Sequence, residues 1–216
     1  MRLLITGVNR GLGRAMAEEA VLRGWDVQGT LRRGGAPEGV VLHTLDMANF
    51  DAFAGVATQS GPLDCLILNA GIIGPATQSP LDMDFDGFAE TMRINTLAPL
   101  ALAQALLPNL RAGKGGRILA ISSQMAWMGY RKPDRIAYRA SKAALNKVMQ
   151  GLATELEPEG IPVALIDPGW VRTDMGGPEA DRDPEDVACE ILDTAAGLQL
   201  AQTGAFLQSD GRPRPF

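Results

Sequence analysis

Short apolar runs alternate with longer stretches of helical periodicity along nearly the whole chain. Leu3-Leu4-Ile5 is the first run, and a turn bounded by Gly7 and Gly13 follows it. Residues 12–23 then space their apolar side chains as a helix does and stop at Gly24. Trp25 to Thr30 reads as a second strand, a Gly/Pro loop covers residues 33–39, and Val40-Val41-Leu42 gives a third strand. Residues 49–59 look helical. Leu63 to Leu68 is a fourth strand whose near-continuous apolar character suits burial on both faces. A long helical segment covers residues 84–111, with Pro99 as a break point because its ring removes a backbone donor. Arg117 to Ile121 is a fifth strand, residues 135–156 a long helix closed by Pro158 and Gly160, and Ile161 to Ile166 a sixth strand. Residues 184–196 are helical, opened by Pro184, and Ala205-Phe206-Leu207 is a last short strand. Strands alternating with helices predict an α/β chain: a Rossmann-like, doubly wound three-layer sandwich around a parallel sheet of about seven strands. No repeat or linker divides residues 1–216, which read as one domain carrying every site.

Composition narrows the function classes. The net charge of -5 leaves no basic surplus for phosphate backbones, which argues against nucleic-acid binding. Arg131, Lys132 and Arg135 cluster, and read as a solvated loop. Cys65 and Cys189 read as small buried hydrophobes rather than a disulfide or metal pair, and a single histidine, His43, argues against a zinc site. No run reaches the length of a membrane span and the N-terminal run is too short for a signal peptide, so a cytoplasmic location is expected.

Three features carry chemistry. The turn Thr6-Gly7-Val8-Asn9-Arg10-Gly11-Leu12-Gly13 sits between the first strand and the first helix, where glycines let the backbone approach a pyrophosphate and the helix start offers N–H donors. Its spacing is G-x-x-x-G-x-G. The second strand ends Thr30-Leu31-Arg32-Arg33, without the carboxylate that would bind a ribose 2′-hydroxyl. Arg32, with Arg10 in the turn, suits a 2′-phosphate because guanidinium pairs bidentately with phosphate oxygens, which favours NADP(H). Finally, Tyr138 and Lys142 stand four apart on a predicted helix and share a face. A lysine ammonium beside a phenol stabilises the phenolate, which makes an acid/base device.

The glycine spacing, Asn69-Ala70-Gly71 after the fourth strand, Ser122-Ser123 after the fifth, and Tyr138-Arg139-Ala140-Ser141-Lys142 together resemble the short-chain dehydrogenase/reductase family in its classical form. The short loops and the segment Asp167 to Met175 are most similar to its small C-factor-like and sniffer-like carbonyl reductases. The resemblance implies hydride transfer between NADP(H) and a small-molecule carbonyl or alcohol, with Tyr138 as acid/base, Lys142 lowering its pKa and holding the nicotinamide ribose, and Ser123 polarising the carbonyl. It implies that Asn95 holds a water relaying protons to Lys142, that Asp46 faces the adenine amino group, and that Asn69, Ala70 and Gly71 pack on the adenosine side. Thr173 would hold the carboxamide. Gly7, Asn9, Gly11, Leu12, Gly13, Met47, Pro168, Gly169 and Val171 complete the implied cofactor contacts. A homodimer or homotetramer is also implied, and no metal.

Two departures stand out. The gap from Ser123 to Tyr138 is about two residues longer than the family's usual one, which leaves Ser122 or Ser123 as the donor, with Ser123 favoured by counting from Ile121. The stretch from Thr173 to Pro184 is short and predicts an open site. Trp127, Met128, Tyr130, Trp170 and Met175 are the expected mouth residues and suggest an apolar or aromatic carbonyl. A serine hydrolase would need a histidine base near Ser123, and His43 is at the wrong strand. An NADP(H)-binding sensor or signalling protein on the same fold is the alternative.

Overall fold

Alternation along the strands decides the layers. In a computed structural model describing residues 1–216, Leu3, Ile5, Cys65, Ile67, Leu119, Ile121, Ala164 and Ile166 face one side of a sheet, while Leu4, Leu66, Leu68, Ile118, Ala120, Val163 and Leu165 face the other. Successive strand residues point to opposite faces, so a strand apolar at every position needs a cover on both. The elements run β1 (Arg2–Thr6), α1 (Gly11–Leu22), β2 (Asp26–Leu31), β3 (Val40–Thr44), α2 (Phe53–Ser60) and β4 (Cys65–Leu68). They continue with β5 (Gln78–Ser79), β6 (Asp82–Met83), α3 (Phe85–Met92), α4 (Ala98–Arg111), β7 (Ile118–Ile121), α5 (Ile136–Leu156), β8 (Val163–Asp167), α6 (Pro184–Gly197) and β9 (Phe206–Gln208).

The seven-stranded sheet has the order β3-β2-β1-β4-β7-β8-β9, and every pairing in it is parallel. Helices α1 and α6 cover one face; α2, α4 and α5 cover the other. The chain order reverses direction across the sheet between β1 and β4, which opens a crevice beyond the carboxyl ends of those strands. The small hairpin β5/β6 is an addition that its two-residue strands hide from pattern reading.

The helical segment 84–111 breaks earlier than Pro99. Helix α3 passes into a π-helical turn at Arg93–Leu97 before α4 starts, and Pro99 lies in the first turn of α4, where its missing N–H costs nothing. Cys65 is buried and Cys189 half-buried; neither forms a disulfide. No helix is long and apolar enough to cross a membrane. After β9 the C-terminal tail folds back along it: Gln208 N donates to Arg212 O and Arg214 N to Phe206 O, each at 2.8 Å.

Candidate active site

The crevice is a cleft of about 560 Å³ running across the carboxyl ends of the sheet, from Arg32 and Arg33 after β2 to Ser123 after β7 and Tyr138 on α5. Its nucleotide end is built mainly from backbone. Gly7 takes a left-handed φ of 77°, and the N–H groups of Gly7 and Val8 both donate to Thr30 O, at 2.8 and 3.0 Å, which ties the turn to β2. A Cβ on Gly13 would stand 2.2 Å from Gly7 O and 2.4 Å from Asn69 Nδ2, so only glycine lets α1 start this close. Thr6 Oγ1 accepts the N–H groups of Asn69 and Ala70, and Asn69 Nδ2 donates to Thr6 O, which fixes the strand ends β1 and β4 against each other. The N-cap of α1 is Arg10; no side chain caps the helix and its first turn holds no acid. Its leading N–H groups therefore face the cleft with their bonding capacity open, as an anion requires.

Gly7, Asn9, Arg10, Gly11, Leu12 and Gly13 all line this end. Asn69, Ala70 and Gly71 form the wall beside them, and Arg32, Asp46 and Met47 the far corner. Asp46 also accepts the Ala48 N–H at 3.0 Å, and its other oxygen is 4.0 Å from Arg32. Arg10 reaches over the opening to Asp174 at 3.1 Å, an ion pair with both side chains about seven-tenths exposed (69% and 74%).

The other end is built from side chains. Asp167, at the tip of β8, is buried; Oδ1 accepts the N–H groups of Gln124 (2.8 Å) and Gly169 (3.0 Å), setting the turns after β7 and β8. Arg214 Nε lies 2.9 Å from Asp167 Oδ2, a charge contact without an aligned N–H. Pro168, Gly169, Val171 and Thr173 line the cleft below this corner. The two serines part company. Ser122 is buried and spends its hydroxyl on Asn146 Oδ1 at 2.5 Å. Ser123 lines the cleft; its Oγ accepts the Met125 N–H at 3.1 Å, which positions the oxygen and leaves its O–H to donate elsewhere.

Tyr138 and Lys142 share the inner face of α5, as their spacing predicts, and both line the cleft. Lys142 Nζ donates to Ile121 O at 2.7 Å and stands 5.8 Å from the centre of the Tyr138 ring. The expected lowering of the phenol is absent in the protein alone. Burial pushes Tyr138 up to about 12, opposed by the neighbouring Ser123 hydroxyl, and burial pushes Lys142 down to about 8. Desolvation disfavours the charged form of each group and dominates both shifts.

Asn95 is corrected in its surroundings. It does not line the cleft but sits fully buried in the π-helical turn behind it. Its Oδ1 accepts the Ile72 N–H and its Nδ2 donates to Ile72 O, both at 2.8 Å, and to Ser141 Oγ at 3.0 Å. The side-chain amide is thus committed to protein partners. Trp170 and Met175 lie at the mouth, but Trp127, Met128 and Tyr130 do not line the cleft. Tyr130 instead lies under the Arg139 guanidinium, 4.8 Å from its ring centre. Residues that sequence reading passed over include Gln124, Met125, Ile72, Ile73 and Gln78, whose Oε1 accepts the Tyr138 N–H at 3.2 Å. His43 pairs its Nε2 with Gln28 Oε1 at 2.9 Å, away from the cleft. No group of three or more His, Cys, Asp or Glu side chains is placed to hold a metal.

A parallel sheet with a glycine turn opening α1, and a cleft at the strand-order reversal, has the architecture of a dinucleotide-binding oxidoreductase. The chain belongs to the short-chain dehydrogenase family: that family's model, described as "short chain dehydrogenase", matches residues 2–184. C-signal of Myxococcus xanthus is 39% identical over 158 residues, covering 73% of this chain and 95% of the relative. Among solved structures, the carbonyl reductase Sniffer of D. melanogaster superposes with a TM-score of 0.90 at 30% identity, covering 99% of this chain and 98% of that one. A short-chain dehydrogenase/reductase from Burkholderia multivorans with bound NADP gives 0.87 at 32% identity, over the same shares of the two chains.

Proposed function

We propose that the protein is an NADP(H)-dependent carbonyl reductase, reducing a small carbonyl compound to an alcohol or running the reverse. The observation that carries this reading is the convergence of the Ser123 and Tyr138 hydroxyls and the Lys142 ammonium at one end of a cleft whose other end is an uncapped helix start. The pyrophosphate fits the α1 start and the glycine turn. Arg10, Arg32 and Arg33 suit a 2′-phosphate, and no carboxylate follows β2 directly to repel it. When bound, NADPH supplies the hydride that the carbonyl carbon gains, and its oxidised ring is positively charged.

The chain's own groups handle the proton. Negative charge develops on the carbonyl oxygen, where Ser123 donates a hydrogen bond and Tyr138 gives up its proton. A phenol held up at about 12 is an intact donor at neutral pH. Lys142 then stabilises the phenolate, and a cationic ring nearby would add to that pull. Both Asn95 Nδ2 donors are taken up by Ile72 and Ser141, so a water relay to Lys142 through this side chain could use only the second lone pair of Oδ1.

Oxidation of NADPH with a panel of aldehydes, ketones and diketones tests the reading. Turnover is expected, and Tyr138→Phe should lower it by about 10³-fold while NADPH binding stays intact. Residual activity within a few-fold of wild type would remove Tyr138 from its role. A second reading, an NADP(H)-binding signalling protein with little turnover, is favoured by the relative named C-signal. Tight NADPH binding with no turnover across the panel would support it.

A further inference from the structure

The loop that joins β7 to α5, longer than the resemblance led one to expect, is pinned at its far end. Arg139, nine-tenths buried on α5, donates from Nε to Asp134 O and from Nη2 to Asp134 Oδ1, each at 2.8 Å, and lies over the Tyr130 ring. Lys132 adds its ammonium 5.5 Å from the same ring. The next residue, Arg135, has a φ of 52° and is the one non-glycine residue in the chain with a left-handed backbone. An arginine there is unfavourable relative to glycine or asparagine, and strain of this kind persists where the surroundings hold it in place.

The Arg135 side chain is exposed, lines the cleft and has no partner. Asp134, the adjacent acid, is already spent on Arg139, and Arg135 forms neither a salt bridge nor a side-chain hydrogen bond. Of the cleft's other cations, Arg10 is placed on Asp174, Arg32 near Asp46 and Lys142 on Ile121 O, while Arg33, also without a partner, lies just after β2 at the nucleotide end. Arg135 is the N-cap residue of α5, three positions before Tyr138, and its charge acts on the Tyr138 phenol, favouring the phenolate. The cleft is also lined by Ile72, Ile73, Met125, Trp170 and Met175, which bring no charge.

We propose that Arg135 binds an anionic group of the substrate, so that the preferred substrates are oxo acids with a carboxylate within a few bonds of the carbonyl and an apolar or aryl remainder. The inference rests on the reductase reading for its chemistry. The carbonyl carbon gains the hydride and the carbonyl oxygen the Tyr138 proton; the carboxylate is held and leaves unchanged in the hydroxy acid. Planar guanidinium suits a carboxylate, which it can pair bidentately.

The test compares 4-oxo-4-phenylbutanoate with its methyl ester, in wild type, Arg135→Gly and Arg135→Lys. Reduction with NADPH gives kcat/KM, calorimetry in the presence of NADP gives affinity, and melting checks the fold. Glycine accepts the left-handed backbone without strain, so Arg135→Gly should fold at least as well as wild type. In wild type the acid should be preferred over the ester by about tenfold, mostly through KM. That preference should vanish in Arg135→Gly and survive in part in Arg135→Lys. A wild-type preference for the ester, or the same acid-to-ester ratio in wild type and Arg135→Gly, overturns the inference and leaves the reductase reading standing. If neither compound is reduced, the calorimetric ratio still decides whether Arg135 holds the anion, and the carbonyl panel above decides the reductase reading.

Discussion

The two ends of the cleft are made differently. At the nucleotide end the backbone does the work: a turn of glycines, an uncapped helix start and arginines on the surface, with Arg10 and Arg32 about two-thirds exposed (69% and 65%). At the chemical end side chains do the work on a buried frame: Lys142 is fixed by Ile121 O, and behind the cleft Ser122 is fixed by Asn146 and Asn95 by Ile72 and Ser141. Recognition of a large, charged ligand tolerates mobile surface arginines, since phosphate attracts over a distance. Proton transfer does not, because small displacements misplace the reacting atoms. Desolvation is the cost of that rigidity, and it is visible in the raised phenol and the depressed ammonium.

The serine pair tests the contrast most strongly. Ser123→Ala should cut kcat by about 10²-fold with little change in melting temperature, since it removes a donor to the developing oxyanion. Ser122→Ala should do the opposite: it leaves Asn146 Oδ1 without its partner and costs about 1–3 kcal/mol of stability in denaturant unfolding, with kcat changed only a few-fold. Swapped outcomes would make Ser122 the donor.

A smaller effect is expected at the nucleotide end. Arg32→Asp should shift the NADPH-to-NADH ratio of kcat/KM toward NADH by roughly tenfold or more, since it exchanges a phosphate partner for a repelling carboxylate. An unmoved ratio would assign the 2′-phosphate to Arg10 or Arg33.

The smallest effect is one of pH. Lys142 has a folded pKa of about 8 against 10.5 for an ordinary lysine, so between these values the unfolded chain holds a proton that the folded one has lost. Stability of the protein alone should therefore rise as pH climbs from 8 to 10.5. Tyr138, raised from 10.0 to about 12, acts the other way above pH 10, because there the folded chain keeps the proton. Lys142→Met should flatten the rise in urea midpoints between pH 8 and 10, and a rise that persists would place its source in another group.

The same contrast governs what could be read from residues alone. Backbone features were legible, because glycine announces its own purpose: the turn from Gly7 to Gly13 and the wall Asn69-Ala70-Gly71 are local in the chain, and all line the cleft. The central strands β1, β4, β7 and β8 followed from apolar runs buried on both faces, whereas β3 carries such a run half-exposed at the margin. Features that depend on distant partners were not legible. The difference between Ser122 and Ser123 lies in Asn146, twenty-four positions on. Asn95 is removed from the cleft by the π-helical turn, which has no sequence signature of its own, and the hairpin carrying Gln78 is too short for any periodicity. Arg131, Lys132 and Arg135 are all exposed, as the charge cluster suggested, but the left-handed backbone of Arg135 and the diversion of Asp134 to Arg139 do not show in composition.

The tail beyond β9 gives the two margins of the sheet unequal exposure to other molecules. Along β9 the backbone groups are taken up by residues 212–214 of the same chain. The opposite margin, β3, has no such cover, and Val41 and Leu42 stand 57% and 43% exposed on it. Unwanted strand addition, the first step toward aggregation in many sheet proteins, therefore has one open door rather than two. Shutting the second margin also ties it to the cleft, since the tail that covers it brings Arg214 to Asp167, the residue that shapes the turns after β7 and β8.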